Sequence, residues 1–140
     1  MTCPHCVGAE LFFDEKEAQK DLRRYRSKGP MKTAQMLLDA LGQVDVTGKR
    51  LLDIGGGVGV LQQELLKAGA ASAVDVDGST AYIAAALEEA ERVGTRDQME
   101  YFQGDFLDIA PNLEPADIVT LDRVLCCYPD VDGMVVRSTA

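Results

Sequence analysis

Residues 51–61 read Leu-Leu-Asp-Ile-Gly-Gly-Gly-Val-Gly-Val-Leu, and this stretch constrains the fold more tightly than any other. A short apolar run reads as a buried strand. It breaks into glycines at 55, 56, 57 and 59 and then resumes as a helix. Glycine has no Cβ, so the backbone turns sharply there and can lie against a ligand. The helix that follows presents unpaired N–H groups to anything anionic or polar in the turn. Strand, glycine turn and helix together predict a cradle for a nucleotide-type cofactor.

The spacing of the glycines narrows the type of cradle. The dinucleotide fingerprint is G-x-G-x-x-G, whose third glycine lets helix and strand pack closely. Counted from Gly55 and Gly57, that third glycine would fall at Val60. The chain instead spaces them Gly55-x-Gly57-x-Gly59, with Asp53 two residues ahead. A carboxylate inside an apolar strand is costly unless it is paired, so Asp53 is expected to have a partner.

Helical and strand periods alternate along the chain. Residues 11–28 predict a charged helix closing at Gly29, and Pro30 suits the first turn of the next. Ala34, Leu37, Leu38 and Leu41 form one apolar helical face ending at Gly42. Strands are expected at 50–54, 72–76, 99–103 and 116–121, the last continuous enough to be buried on both faces. Between them lie a helix over 58–68 and another capped by Ser79 or Thr80 and stopped at Gly94. Pro129-Asp130 opens a short final helix. This alternation predicts an α/β fold with a parallel, doubly wound sheet and right-handed crossovers.

The second strand ends Asp75-Val76-Asp77-Gly78. An acid about 20 residues past the first glycine of such a turn meets ribose hydroxyls. Asp77 is favoured over Asp75. Alternation puts both on one side of the strand, but only Asp77 lies at the tip. The third strand leads into Gly104-Asp105-Phe106, and the fourth into Asp122-Arg123-Val-Leu-Cys126-Cys127-Tyr128.

Taken together, these segments resemble motif I and the linked motifs of the class I S-adenosylmethionine (SAM)-dependent methyltransferases, whose first motif is D-x-G-x-G-x-G. The resemblance implies a Rossmann-like fold, SAM as cofactor and methyl transfer to a small-molecule acceptor. It implies a cofactor site drawn from Asp53, Gly55, Gly56, Gly57, Gly59, Asp77, Gly78, Asp105, Phe106 and Leu121. Asp53 would help hold the methionine amine, Asp77 the ribose and Asp105 the adenine amino group. Phe106 would offer its backbone N–H to the ring, with its side chain either flanking the purine or packing in the core. In the fourth segment the family carries paired histidines where this chain has Cys126 and Cys127. Asp122, Arg123 and Tyr128 fall on the acceptor side, with no catalytic residue assigned. The family sheet has seven strands and four are legible here, so the resemblance implies a chain truncated after the fourth. That strand would be an uncovered edge open to self-association. Residues 1–42 would form a helical lid in which Tyr25 and Arg26 approach the methionine end of SAM, and residues 43–140 the SAM-binding domain. A non-catalytic SAM-binding remnant and a nicotinamide-dependent oxidoreductase are the competing classes.

Charge and composition bound the remainder. The net charge is −9, although residues 16–32 hold seven basic residues against two acidic ones. Such acidity weighs against a broad nucleic-acid surface. No apolar run reaches a membrane span, and no export signal is legible, so a cytoplasmic protein with free thiols is expected. Cys3-Pro4-His5-Cys6 is half of a zinc knuckle. A structural zinc needs four ligands, so no metal is assigned, and the only histidine, His5, lies far in sequence from the site.

Overall fold

The structure is a computed structural model and describes residues 14–122 together with Leu11, Asp132, Gly133 and Val136. Helix α1 (Glu15–Lys28) is capped by the Asp14 side chain, which accepts from the Glu17 N–H, and closes at Gly29 in a positive-φ conformation. Helix α2 (Lys32–Leu41) begins two residues later than Pro30 suggests. Its N-cap is Met31, in extended backbone. Strand β1 (Arg50–Ile54) leads through the glycine turn to α3 (Val60–Lys67). Strand β2 (Ser72–Asp77) leads to α4 (Thr80–Val93), with Ser79 as its side-chain cap and Gly94 as its left-handed stop. Strand β3 (Met99–Gln103), a short helix α5 (Phe106–Ile109) and strand β4 (Ile118–Thr120) complete the described elements, with 3₁₀ turns at Arg96–Gln98 and Ala110–Asn112.

The four strands form one parallel sheet in the order β3-β2-β1-β4, the α/β, doubly wound arrangement that the alternation of elements predicts. Strand order reverses between β1 and β4. That is the place where open α/β sheets bind ligands, outside the carboxyl ends of their strands.

Each face of the sheet is closed by its own apolar layer. On one face Leu51, Ala73 and Met99 pack with Leu65 and Leu66 of α3 and Ala90 of α4, with Leu38 and Leu41 of α2 at the margin. On the other, Leu52, Ile54, Val74 and Val76 pack against Phe106, Leu107 and Ile109 of α5 and the turn after it. A third cluster joins α1 to the rest through Ala18, Leu22, Tyr25, Val58, Tyr82 and Ala85. Residues 15–28 therefore dock on α4 and on the start of α3. The salt bridge of Arg26 with Glu89 adds to that docking at 3.1 Å.

Two expectations are corrected. Strand β4 is shorter than 116–121, and Ile118 and Val119 are only half-buried rather than enclosed on both faces. The reason is position. β4 lies at an end of the strand order, with β1 as its one strand partner among the described residues. Helix α5, for which the sequence gives no periodic signal, stands where the sequence reading places no element. The final helix at Pro129-Asp130 falls outside the described residues, as do Cys3, His5, Cys6, Arg123, Cys126, Cys127 and Tyr128. Among the described residues, no helix is long and apolar enough to cross a membrane, and no three His, Cys, Asp or Glu side chains cluster as for a metal ion.

Candidate functional site

The loops after β1, β2 and β3 are tied to one another at the carboxyl end of the sheet. The Gly55 N–H donates to the Val76 carbonyl at 2.7 Å, and the Gly104 N–H donates to the Asp77 carbonyl at 3.0 Å. The Gln103 amide donates to the Gly78 carbonyl at 2.9 Å. Asp77 sits at the junction. Its Oδ2 accepts from the Gly57 N–H at 3.2 Å and its Oδ1 from the Ser79 N–H at 2.9 Å. One carboxylate thus locks the glycine turn to the start of α4. A carboxylate oxygen can accept more than one hydrogen bond, so these backbone bonds orient the group for a diol without barring one.

The glycine turn needs its glycines at two levels. Gly57 and Gly59 have φ of 60° and 89°, a region L side chains rarely enter. Gly59 is the N-cap of α3. At Gly56 the constraint is space: a Cβ there would lie 2.3 Å from Gln62 Nε2, 2.6 Å from Asp53 Oδ2 and 2.8 Å from Asp75 Oδ1. The turn therefore rests directly on a buried polar floor.

That floor is a row crossing the whole sheet. Register pairs Thr120 with Asp53, Asp53 with Asp75, and Asp75 with Tyr101, so every strand contributes one polar side chain at the same level. The row one step back, Ile118, Leu51, Ala73 and Met99, is apolar. Asp53 is 1% exposed. It accepts from Gln62 Nε2 at 3.0 Å and from the Thr120 hydroxyl at 2.8 Å. Burial pushes its carboxyl up to about 7, against those two hydrogen bonds, with Asp77 and Asp122 adding repulsion. Asp75 is fully buried and is also raised, first by burial and then by Asp53 and Asp77. The Gln62 amide and the Gly56 N–H face Asp75 and favour its charged form, but neither of its oxygens has a well-formed hydrogen bond.

The other expected residues fall as follows. Asp105 is half-buried and caps α5, its Oδ1 accepting from the Leu107 N–H at 3.0 Å. The Phe106 side chain is 3% exposed and packs in the core, the second of the two roles open to it. Leu121 packs with that same cluster, on the sheet face opposite Asp53. Asp122 is half-buried and acts electrostatically on Asp53. Tyr25 donates to Glu64 of α3 at 2.8 Å, and Arg26 pairs with Glu89 of α4, so both are engaged in docking α1. Tyr82 borders the turn, its ring 3.7 Å from where a Gly57 Cβ would stand, and its hydroxyl donates to Asp21 of α1. Sequence reasoning missed Gln62 and Thr120. The signal for Gln62 was a glutamine in the first turn of a helix facing a strand that carries an acid. Thr120 gave no signal before the register was known.

A parallel sheet with a glycine turn at the strand-order reversal, and acids at the next two strand tips, defines a Rossmann-like nucleoside-binding domain. Comparison with known proteins makes the class specific. A family profile described as a methyltransferase domain matches residues 51–138, and the chain belongs to this family, the class I SAM-dependent methyltransferases. It is 38% identical over 74 residues to the ribosomal protein L11 methyltransferase of Escherichia coli, a match covering 53% of this chain and 25% of that protein. The chain thus spans about a quarter of the length of the curated relatives it matches. Its fold is similar to a putative SAM-dependent methyltransferase of Methanococcus maripaludis (TM-score 0.73, 21% identity, 89% of this chain and 57% of that one). It is also similar to a SAM-dependent methyltransferase of Geobacter sulfurreducens solved with S-adenosyl-L-homocysteine (TM-score 0.62, 20% identity, 78% and 43%).

Proposed function

We propose that this domain binds SAM across the three tied loops and transfers its methyl group to a small-molecule acceptor. The observation that carries the reading is the junction at Asp77, whose carboxylate holds the glycine turn after β1 and the start of α4, and whose backbone carbonyl accepts from Gly104 after β3.

The donor set suits a nucleoside with a cationic tail. Asp77 and Asp105 offer acceptors to hydroxyl and amine hydrogens. The glycine turn offers backbone at close range. Asp53, Asp75, Asp77 and Asp122 make this end of the sheet acidic, a field that favours a positive ligand. Bound there, the cofactor supplies an electrophilic methyl group on sulfur. The chain's own part is to hold the nucleoside in one orientation, to align the acceptor and to keep water out. The net charge of −9 weighs against a nucleic-acid acceptor.

The test is calorimetric titration of SAM into wild type and Asp77→Ala. The variant removes the ribose acceptor and the bond to the Gly57 N–H together. Its affinity is expected to fall about tenfold to a hundredfold, since hydrogen bonds to charged groups contribute roughly 1.5–3 kcal/mol. Unchanged affinity removes Asp77 from the site. Turnover with protein-linked and free small acceptors in parallel then tests the acceptor class, and transfer to the protein-linked acceptor alone contradicts the small-molecule reading.

A further inference from the structure

Beneath Gly56 two carboxyls are crowded into one buried space. Asp53 Oδ2 and Asp75 Oδ1 each lie within 3 Å of the point where a Gly56 Cβ would stand, and both side chains are at least 99% buried. Two like charges this close and this buried do not both ionise readily. The groups facing them offer little relief. Gln62 of α3 gives one amide, which bonds Asp53 and, with the Gly56 N–H, faces Asp75 and favours its charged form, while the Gln62 Oε1 is buried without a hydrogen-bond partner. Thr120 of β4 donates to Asp53 only. From β3, Tyr101 is turned to the Ala86 carbonyl. Asp77 of β2 and Asp122 after β4 add negative charge. Of the titratable groups on α4, Tyr82 bonds Asp21, and Glu89 is taken up by Arg26 and Arg92. The strongest influences on the pair include no cation. Asp75 is the unusual member, because neither of its oxygens has a well-formed hydrogen bond, although it lies directly under the turn that forms the cofactor cradle.

We propose that Asp53 and Asp75 share one proton near neutral pH, that a sulfonium ligand seated on the glycine turn drives this proton off, and that the site therefore prefers SAM over its neutral thioether product increasingly as pH rises. The inference rests on the SAM-binding reading and adds to it a positioning residue, Asp75, that sets the ligand preference. The chemistry balances without a redox partner. The O–H bond of the shared carboxylic acid breaks, its electron pair stays on the carboxylate, and the proton passes to buffer. Both ligands carry the methionine ammonium, and SAM adds a positive charge on sulfur, so the sulfonium form couples to the proton more strongly. One proton released per ligand changes affinity by up to about tenfold per pH unit.

Two measurements test this. The first is infrared titration of the unliganded protein. A protonated carboxyl stretch is expected at pH 7, disappearing at higher pH, with its midpoint lowered by about one pH unit or more in Asp75→Asn, where the like charge is gone. The second is calorimetry of SAM and S-adenosylhomocysteine from pH 6 to pH 8 in buffers of different ionisation heat. SAM affinity is expected to rise about tenfold, with the protons released per SAM falling from close to one at pH 6 toward none at pH 8, and that of the thioether by about threefold or less. Asp75→Asn should flatten the SAM profile. Equal slopes for the two ligands, an unchanged slope in Asp75→Asn, or no protonated carboxyl at pH 7 overturns the inference. Both ligands binding without a protonated carboxyl sinks this inference alone. A titrating carboxyl with no binding of either ligand at any pH sinks the SAM reading and the ligand preference together.

Discussion

Substituting Gly56 by alanine isolates the contact between the glycine turn and its polar floor. The backbone of Gly56 does not belong to the positive-φ set, so alanine avoids the left-handed penalty there and the steric contact dominates its cost. The new methyl carbon would stand 2.3, 2.6 and 2.8 Å from Gln62 Nε2, Asp53 Oδ2 and Asp75 Oδ1. All three side chains are buried, so relief needs displacements of up to about 1 Å in a close-packed region. Overpacking of this kind costs about 1–3 kcal/mol. Loss of the Gln62–Asp53 hydrogen bond, with both groups left buried, adds roughly 1–3 kcal/mol. The expected total is about 3–5 kcal/mol, a large share of the stability of a domain this size, and a fall in Tm on the order of 10 °C. Gly48→Ala is the control. Gly48 has φ of 71° and nothing within 4 Å of the added carbon, so only backbone strain of about 1 kcal/mol applies. Urea denaturation of both variants at one pH decides the matter. If Gly56→Ala is within 1 kcal/mol of Gly48→Ala, the buried polar floor does not support the turn as described.

Three other outcomes are expected. The folded-state pKa of Asp53, pushed up to about 7 by burial, exceeds the ordinary aspartate value of 3.8, so between those values the folded protein holds a proton the unfolded chain has released. Its contribution is therefore fully present below about pH 4 and is lost as pH rises through 7, by up to about 4 kcal/mol. Urea unfolding at pH 5 and pH 8 should show this slope reduced in Asp53→Asn, and an equal slope in both proteins contradicts the burial argument. Arg26→Ala should cost only about 1 kcal/mol, because Arg92 still holds both oxygens of Glu89 at 2.6 and 3.1 Å; a loss above 3 kcal/mol would show that Arg26 rather than Arg92 neutralises that buried acid. Pairing of two copies through β4 predicts a concentration-dependent dimer in sedimentation that Val119→Pro, which removes a backbone donor, weakens. A wild-type monomer at all concentrations ends that expectation.

Local chemistry made the elements around the glycine turn legible. A glycine run after an apolar strand, a serine before a helical period and a glycine after it each act within a few residues, so 50–54, 72–76 and the Ser79 to Gly94 helix emerge close to their observed bounds. Helix α5 escaped because four residues make barely one turn and carry no period. Its cap, Asp105, was read from the family resemblance as a ligand acid, and the structure shows it starting that helix. The length of β4 escaped because strand ends depend on a neighbour, and β1 pairs with it only from Ile118 onward.

The sequence by itself determined the strand–turn–helix cradle, the parallel α/β class and the acid at the second strand tip, since each follows from backbone conformation or from offsets along the chain. Only the tertiary structure decided that Asp53 meets Thr120, 67 residues away, and Gln62, while its register partner Asp75 lies beside it without comparable bonds. Register and helix docking set those distances. They come from burying Leu51, Ala73 and Met99 under α3 and α4, a packing requirement that no local stretch of sequence expresses.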